Sequence, residues 1–323
     1  MDRKTFLKNS GLFVAGSLLA PELAIGRGFP SSKRLKSVGL QLFSIPLPLE
    51  QDFEGTVAMI SGMGFRELEL YGPYPFSAQS NKTRWAGITP MLGFSGSGFF
   101  GLSQSRFKAV LDANRLRVPA MHTDLDTLEN HLEKLAESAN YLGAKYVILP
   151  AIPEERRQNL DGYKAVADSF NTIGRRAREL GIRFAYHNHG YGLSEMEGEI
   201  PFELLMERTD PNAVFLEMDL FWTIAGRADP IAYLKKYKNR YRLMHVKDMA
   251  QLKHFEGDGG DAAQWIALFP NMTSAGSGVL SLPEILSVAR KNGVKHFFVE
   301  QDMAKKPEVV LKKSLDYLLA LDV

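Results

Sequence analysis

The stretch that decides the reading of this chain is Arg183-Phe184-Ala185-Tyr186-His187-Asn188-His189-Gly190. It reads as a buried strand ending in two histidines. Side chains alternate across a strand, so Ala185, His187 and His189 share one face, and Phe184, Tyr186 and Asn188 the other. An imidazole pair at one strand end can hold a metal. The competing reading is two separate core histidines, each hydrogen-bonded to a carbonyl. Ligand-type residues at other strand ends would favour the metal or catalytic reading.

Working outward, short apolar runs alternate with amphipathic helices. Strands are expected at Val38–Ile45, Phe65–Tyr71, Val118–Thr123, Lys145–Pro150, Arg183–Gly190, Ala213–Leu220, Tyr241–Lys247 and Lys295–Glu300. Helices are expected after an Asp52 cap to Gly62 and over Gln104–Asn114, Thr127–Leu142, Asp161–Leu180, Phe202–Arg208, Pro230–Asn239, Leu282–Asn292 and Pro307–Leu321. Gly72–Gly101 reads as a Gly-, Pro- and aromatic-rich insertion whose Phe94, Phe99 and Phe100 could fold over a rim pocket as a lid. Asp248–Ser281 reads as a loop. Eight strand–helix repeats specify a parallel sheet, and their number and span match a closed (β/α)8 TIM barrel over residues 35–323. Gln41-Leu42-Phe43-Ser44 stands where a dinucleotide-binding sheet would carry its glycine fingerprint, which argues against that version.

The barrel puts a demand on the polar residues. They should lie late in the strands and face inward, because active sites of this fold open at the C-terminal strand ends. Gln41, Glu69, His122, His187, His189, Glu217, Asp219, His245, Lys247, Glu300 and Asp302 all do so. A carboxylate or histidine inside a buried strand is costly unless it is paired or ligating. Imidazoles mixed with carboxylates suit Mn, Zn, Co or Fe better than Ca. The bland alternative is a buried ion-pair ring of Glu217, Asp219, Lys247 and His245.

Composition bounds the rest. The 323 residues are 45% hydrophobic with a net charge of +2, so the chain has a core to bury and no overall pull toward nucleic acid or membrane. There is no cysteine, hence no disulfide and no zinc finger. Residues 1–26 read as an export signal: basic Arg3, Lys4 and Lys8, an apolar run over residues 11–20, then Ala24 and Gly26. The run is too short to span a bilayer. The segment resembles a twin-arginine signal with Lys4 in place of the second arginine, so export to the periplasm is the expectation.

Several strings then carry a resemblance: Tyr186-His187-Asn188-His189, Phe215 to Trp222 (FLEMDLFW), Ala225-Gly226 with Asp229-Pro230, His245-Val246-Lys247-Asp248, and Phe298 to Asp302 (FVEQD). In this order and spacing the chain resembles the sugar phosphate isomerase/epimerase family, the xylose-isomerase-like barrels, from about Ser37 to Leu321. The resemblance implies one divalent metal (Mn, Zn, Co or Mg), with Asp219, His245 and Glu300 as ligands and His187 where many relatives carry a glutamate. It implies an enzyme that moves a proton next to a carbonyl on a sugar or keto-sugar, through a metal-stabilised enediolate. The base candidates are Glu217, His189 and Lys247. Gln41, Glu69, His122 and Asp302 would hold the substrate, and Trp222 could stack on a sugar face. Glu217 or Asp248 would fix the His245 ring. Relatives with this histidine string often carry a glutamate soon after it. Here Gly190-Tyr191-Gly192 follows, and the nearest carboxylates are Glu195 and Glu197.

Alternatives remain at this point. A metal-dependent lyase or dehydratase would use the same chemistry, with expulsion of a β-substituent. A non-catalytic periplasmic sugar binder would need the rim without the metal. A class II AP endonuclease shares the barrel, but the export signal and near-neutral charge argue against it. A small-molecule sugar is the expected partner, with no nucleic acid and no membrane span; a homo-oligomer is open.

Overall fold

The structure, a computed structural model, describes Arg34, Leu35 and residues 37–323. The export segment lies outside the described residues. Eight parallel strands close into a barrel in the order β1-β10-β7-β6-β5-β4-β3-β2. They are β1 (Gly39–Gln41), β2 (Glu67–Leu70), β3 (Arg117–His122), β4 (Tyr146–Leu149), β5 (Arg183–His187), β6 (Val214–Asp219), β7 (Tyr241–Val246) and β10 (His296–Val299). Two further strands, β8 (Asp248–Met249) and β9 (Met272–Thr273), form an antiparallel pair outside the barrel. The expected closed (β/α)8 architecture is the one observed. Among the described residues no helix is long and apolar enough to cross a membrane.

The strand sequences explain the closure. One face of each strand packs on the helices, as Val147, Phe184, Tyr186, Val214, Leu216, Met244 and Val246 do, all nearly inaccessible. The other fills the barrel. Ala120, Tyr146, Ile148, Ala185, Leu243 and Phe298 form a separate interior cluster. Gly39 belongs to this packing: a Cβ there would lie 2.3 Å from the Phe298 ring, so glycine is what admits the aromatic. Above this apolar layer every barrel strand except β4, which runs on to Pro150, turns polar, which places Gln41, Glu69, His122, His187, Glu217, His245 and Glu300 at the C-terminal mouth.

Four segments differ from the sequence expectations. The insertion holds a helix, Gln79–Leu92, despite Pro90 inside it. Its aromatics are not a free lid. Phe94 and Phe99 are buried, Tyr74 stacks on Phe76 at 5.2 Å, and Phe99 sits 5.2 Å from Phe107 on the next helix. The helix expected over 127–142 is two, Leu125–Asn130 and Leu132–Leu142, broken at His131. A short helix, Leu220–Ala225, follows β6 directly, because Asp219 accepts the Trp222 N–H at 2.9 Å and caps it. The 248–281 segment is built as the β8–β9 pair with a helix, Ala262–Leu268, between its strands. Residues 250–271 thus form a strap tied down at both ends.

Candidate metal and catalytic centre

Strand register sets the site. β5 and β6 pair with His187 opposite Glu217, and β6 and β7 pair with Asp219 opposite His245. β1 brings Gln41 opposite Glu69 on β2. Two overlapping donor groups result, each with its ligand atoms within 4.8 Å of one another. One is Asp219, His245 and Glu300; the other is His122, His187, Glu217 and His245. His187 bridges them, with Nδ1 3.0 Å from Glu217 Oε2 and Nε2 3.6 Å from Asp219 Oδ2.

His245 lies at the centre. Its Nδ1 is 2.6 Å from Glu300 Oε2, and its Nε2 contacts Glu69 and stands 3.4 Å from Glu217 Oε2. The ring is therefore oriented by Glu300 and Glu69. Asp248, one expected partner, is engaged elsewhere: its carboxylate accepts the backbone N–H groups of Gly276, Gly278 and Leu280. His122 sits 2.8 Å from Glu217 and 3.1 Å from Glu69, with its ring stacked on that of His245 at 5.4 Å.

Lys247 projects beside this group. Its Nζ is 2.6 Å from Asp302, 2.7 Å from Glu300 and 3.0 Å from Asp219. Beneath it, 5.1 Å away, is the Trp222 ring. Trp222 is 1% exposed, with one face stacked on Phe255 at 5.6 Å, so it has no face open to a sugar in this structure. His189 donates from Nδ1 to the Pro150 carbonyl at 2.6 Å, which leaves its Nε2 without a proton.

Burial and pairing set the charges. Burial raises the Glu217 carboxyl, and repulsion from Glu69 adds to it, bringing it up to about 7 against the pull of His245 and His122. Burial disfavours the His122 cation, but Glu69 and Glu217 outweigh it and raise the ring to about 9. Burial and the Lys247 charge lower His189 to about 3. Burial, then the neighbouring His245, holds His187 well below the usual range, which suits a neutral ligand. Lys247 is raised despite burial by Asp219, Asp302 and Glu300. A lysine so held keeps its proton at neutral pH, which removes it from the base candidates and makes it a proton donor or a fixed charge.

These residues fit a cation. Glu69, Glu217, Asp219 and Glu300 share with Lys247 and the imidazoles a region nearly without solvent. Glu69 Oε1, Glu217 Oε1 and Asp219 Oδ2 are buried without a well-formed hydrogen bond, although Lys247 Nζ is close to the last. Buried oxygens lacking donors are what a bound ion would satisfy. The donor set could hold a metal.

Other residues had no ligand-type signal in the sequence. Asn188 accepts the Asp219 N–H at 3.2 Å and donates to Thr223 Oγ1, locking the start of the helix after β6. The strap crosses the mouth: Trp265 lies 4.7 Å from the His189 ring, and Arg157 donates to the Gly260 carbonyl while its guanidinium stacks 4.0 Å over Tyr191. Gly190 permits this approach. It has φ +92°, and a Cβ there would lie 2.4 Å from Phe255. Gly190 thus makes room for the strap. Glu195 and Glu197 are exposed.

A closed eight-stranded barrel with a histidine–carboxylate centre at its C-terminal mouth defines a class, and the family follows from it. The chain belongs to the xylose isomerase-like TIM barrel family, whose model matches residues 63–321. It is 30% identical over 149 residues to an inosose dehydratase of Geobacillus kaustophilus, an alignment covering 41% of this chain and 48% of that one. The match thus spans about half the length of that relative. In three dimensions it resembles a sugar phosphate isomerase/epimerase from Parabacteroides distasonis, with TM-score 0.69 and 22% identity over 94% of this chain and 100% of that one. It also resembles an IOLI protein solved with a zinc atom, with TM-score 0.58 and 14% identity over 87% and 95% of the two chains. At these identities the structural likenesses speak for the fold alone.

Proposed function

We propose that this chain is a divalent-metal-dependent enzyme that isomerises or epimerises a sugar or keto-sugar by moving a proton next to its carbonyl. The observation that carries the reading is the convergence of His122, His187 and His245 with Glu69, Glu217, Asp219 and Glu300, beside the charged Lys247, at one barrel mouth. Asp219, His245 and Glu300 would hold the ion, with His187 alongside. Once bound, the metal would polarise a carbonyl and its neighbouring hydroxyl.

The protein's own groups supply the rest. Glu217, brought to about 7, is tuned for proton abstraction near neutral pH, and its Oε1 has no competing partner. His122, raised to about 9, carries a proton it can return to a substrate oxygen. Lys247 would stabilise negative charge developing on the substrate. Gln41 donates to Glu69 at 2.8 Å and holds that carboxylate toward the mouth, where a hydroxyl could donate to it. His189, with a bare Nε2 and a pKa of about 3, would accept a substrate hydrogen bond rather than act as base.

A second reading is elimination of water from a keto-sugar, and the similarity to inosose dehydratases favours it. It uses the same abstraction, with the His122 proton going to a leaving hydroxyl. One experiment separates the outcomes: incubation with a panel of keto-sugars in D2O, with and without chelator. Chelator-sensitive deuterium uptake without mass loss supports isomerisation or epimerisation, and loss of water supports the lyase. Exchange in no substrate, or exchange indifferent to chelator, would overturn the proposal. The export expectation joins it here: envelope protein should begin near Arg27, and a mature chain starting at Met1 in the cytoplasm would end it.

A further inference from the structure

The insertion between β2 and β3 is the part of the mouth that the proposed chemistry does not use. Its packing converges on one side chain. The Tyr74 ring stacks on Phe76 at 5.2 Å and lies 5.6 Å from Phe99. Its backbone N–H donates to Ser77 Oγ at 3.0 Å, and Ser97 Oγ donates to the Pro73 carbonyl just before it. Gly98 is in the left-handed region at φ +59°, and a Cβ there would lie 3.1 Å from Tyr74 Cα, so the returning chain presses against this residue. Tyr74 is 1% exposed. Every part of it is held except the hydroxyl, which is buried without a hydrogen-bond partner.

An unpaired buried hydroxyl destabilises a fold, and phenylalanine would fill the same space without that penalty. The position of Tyr74 supplies a reason for the hydroxyl. A Cβ on Gly72 would lie 3.3 Å from the Tyr74 ring and 3.5 Å from the His122 carbonyl. The ring therefore sits by the ends of β2 and β3, where Glu69 and His122 emerge. Burial holds the hydroxyl protonated, and the Glu69 charge adds to that hold. Glu69 has an unpaired atom of its own. Its Oε2 takes the contacts with Gln41, His122 and His245, while Oε1 is buried with no partner. One side of the mouth thus holds a donor without an acceptor and an acceptor without a donor.

We infer that Tyr74 is a substrate-binding residue: its Oη donates to a sugar hydroxyl, and that hydroxyl donates to Glu69 Oε1. The inference rests on the sugar reading proposed above and names the group that this side of the site recognises. That group must accept one hydrogen bond and donate another, as a hydroxyl does. A carbonyl or ether oxygen cannot donate, and a phosphate would bring its charge against Glu69. The aromatics of the insertion fix the phenol before the substrate arrives, so little ordering is left for binding to supply. Specificity follows, because a sugar lacking that hydroxyl leaves both protein atoms unpaired.

The test is calorimetric binding of D-fructose, D-xylulose and sorbitol to the full chain loaded with manganese, comparing the parent with Tyr74→Phe. The variant should bind about tenfold more weakly, with a melting temperature equal to or above that of the parent. Monodeoxy forms of D-fructose should locate the hydroxyl: one of them should lose about tenfold in affinity for the parent and lose nothing further with Tyr74→Phe. Tyr237 is the control, since its hydroxyl is also buried and unpartnered but follows a helix at the other end of the barrel. Tyr237→Phe should leave sugar affinity unchanged. Equal affinity of the parent and Tyr74→Phe for every probe overturns the inference, as does failure of the parent to bind any of them. A lowered melting temperature with unchanged affinity also overturns it and assigns the hydroxyl to a buried water. Deuterium uptake measured alongside keeps two failures apart. Binding that depends on Tyr74 without any uptake sinks the enzymatic reading alone, and uptake that Tyr74→Phe leaves intact sinks this inference alone.

Discussion

The two mouths of this barrel hold their cations in opposite ways. At the C-terminal mouth Lys247 is sealed against three carboxylates, with Trp222 beneath it. At the N-terminal mouth Arg183 and Arg242 each lie 5.4 Å from the Phe215 ring and touch no carboxylate, while Lys145 and Lys295 stand in solvent. The same strands run between the two ends. The difference teaches that charge is arranged by exposure. Inside, each ion must be matched or the fold suffers; outside, water does the matching.

The comparison can be tested at graded cost. The largest effect is expected in chemistry. Asp219→Asn should lose most of the bound metal by elemental analysis, since an amide brings no charge, and slow solvent proton exchange by about 10²–10³-fold. Retention of full metal with normal exchange would move the ion to the His122–His187–Glu217 donors. Next comes Lys247→Met, which leaves Asp219, Glu300 and Asp302 facing one another without a cation. It should cost about 3–5 kcal/mol in denaturant unfolding. An unchanged midpoint would mean that the sealed mouth is not as dry as its burial indicates.

Smaller effects belong to the N-terminal mouth. Lys145→Ala and Lys295→Ala should each stay within about 0.5 kcal/mol of the parent in the same unfolding measurement. A loss comparable with that of Lys247→Met would erase the contrast between the two ends. The smallest effect concerns Glu67, the buried acid of that mouth. Burial raises its carboxyl, but His296 and Arg117 outweigh burial and leave it below 4.5. A depressed carboxylate stabilises the fold above its unfolded pKa and stops doing so as pH falls through the folded one. The melting-temperature advantage of the parent over Glu67→Gln should therefore be full at neutral pH and shrink below about pH 4.5. An advantage that grows on acidification would contradict the pairing.

Some of this could be read in the chain and some could not. The eight strands and the inward set from Gln41 to Asp302 follow from alternation, because a period of two fixes which residues share a face. Asp52 and Gly143 also mark their helix ends as expected, Asp52 by accepting the Gly55 N–H and Gly143 in the left-handed region. What alternation cannot supply is distance across the barrel. Glu69 and His245 are 176 residues apart and meet only because the sheet closes. The helix at Gln79–Leu92 buries no residue on a core-facing stripe, so no amphipathic signal announces it. The strap had no signature either: Phe255 and Trp265 are ordinary aromatics until Gly190 lets the backbone come close. Nor does the sequence show that Arg66, Arg115, Lys145, Lys238 and Lys295 share one end of the barrel, since they lie on five connections that only the fold assembles.

The strap has a kinetic consequence. His187, Glu217, Asp219 and His245 are each no more than 1% exposed, so a sugar cannot reach them through the mouth as it stands. On the proposed function, entry and exit would need residues 250–271 to swing aside, breaking the Arg157–Gly260 bond and parting Trp265 from His189. A motion of that size displaces solvent, and its rate falls as the medium thickens. Turnover on a good substrate should then slow in proportion to added viscogen, while a sluggish substrate, limited by the proton step, should be indifferent to it.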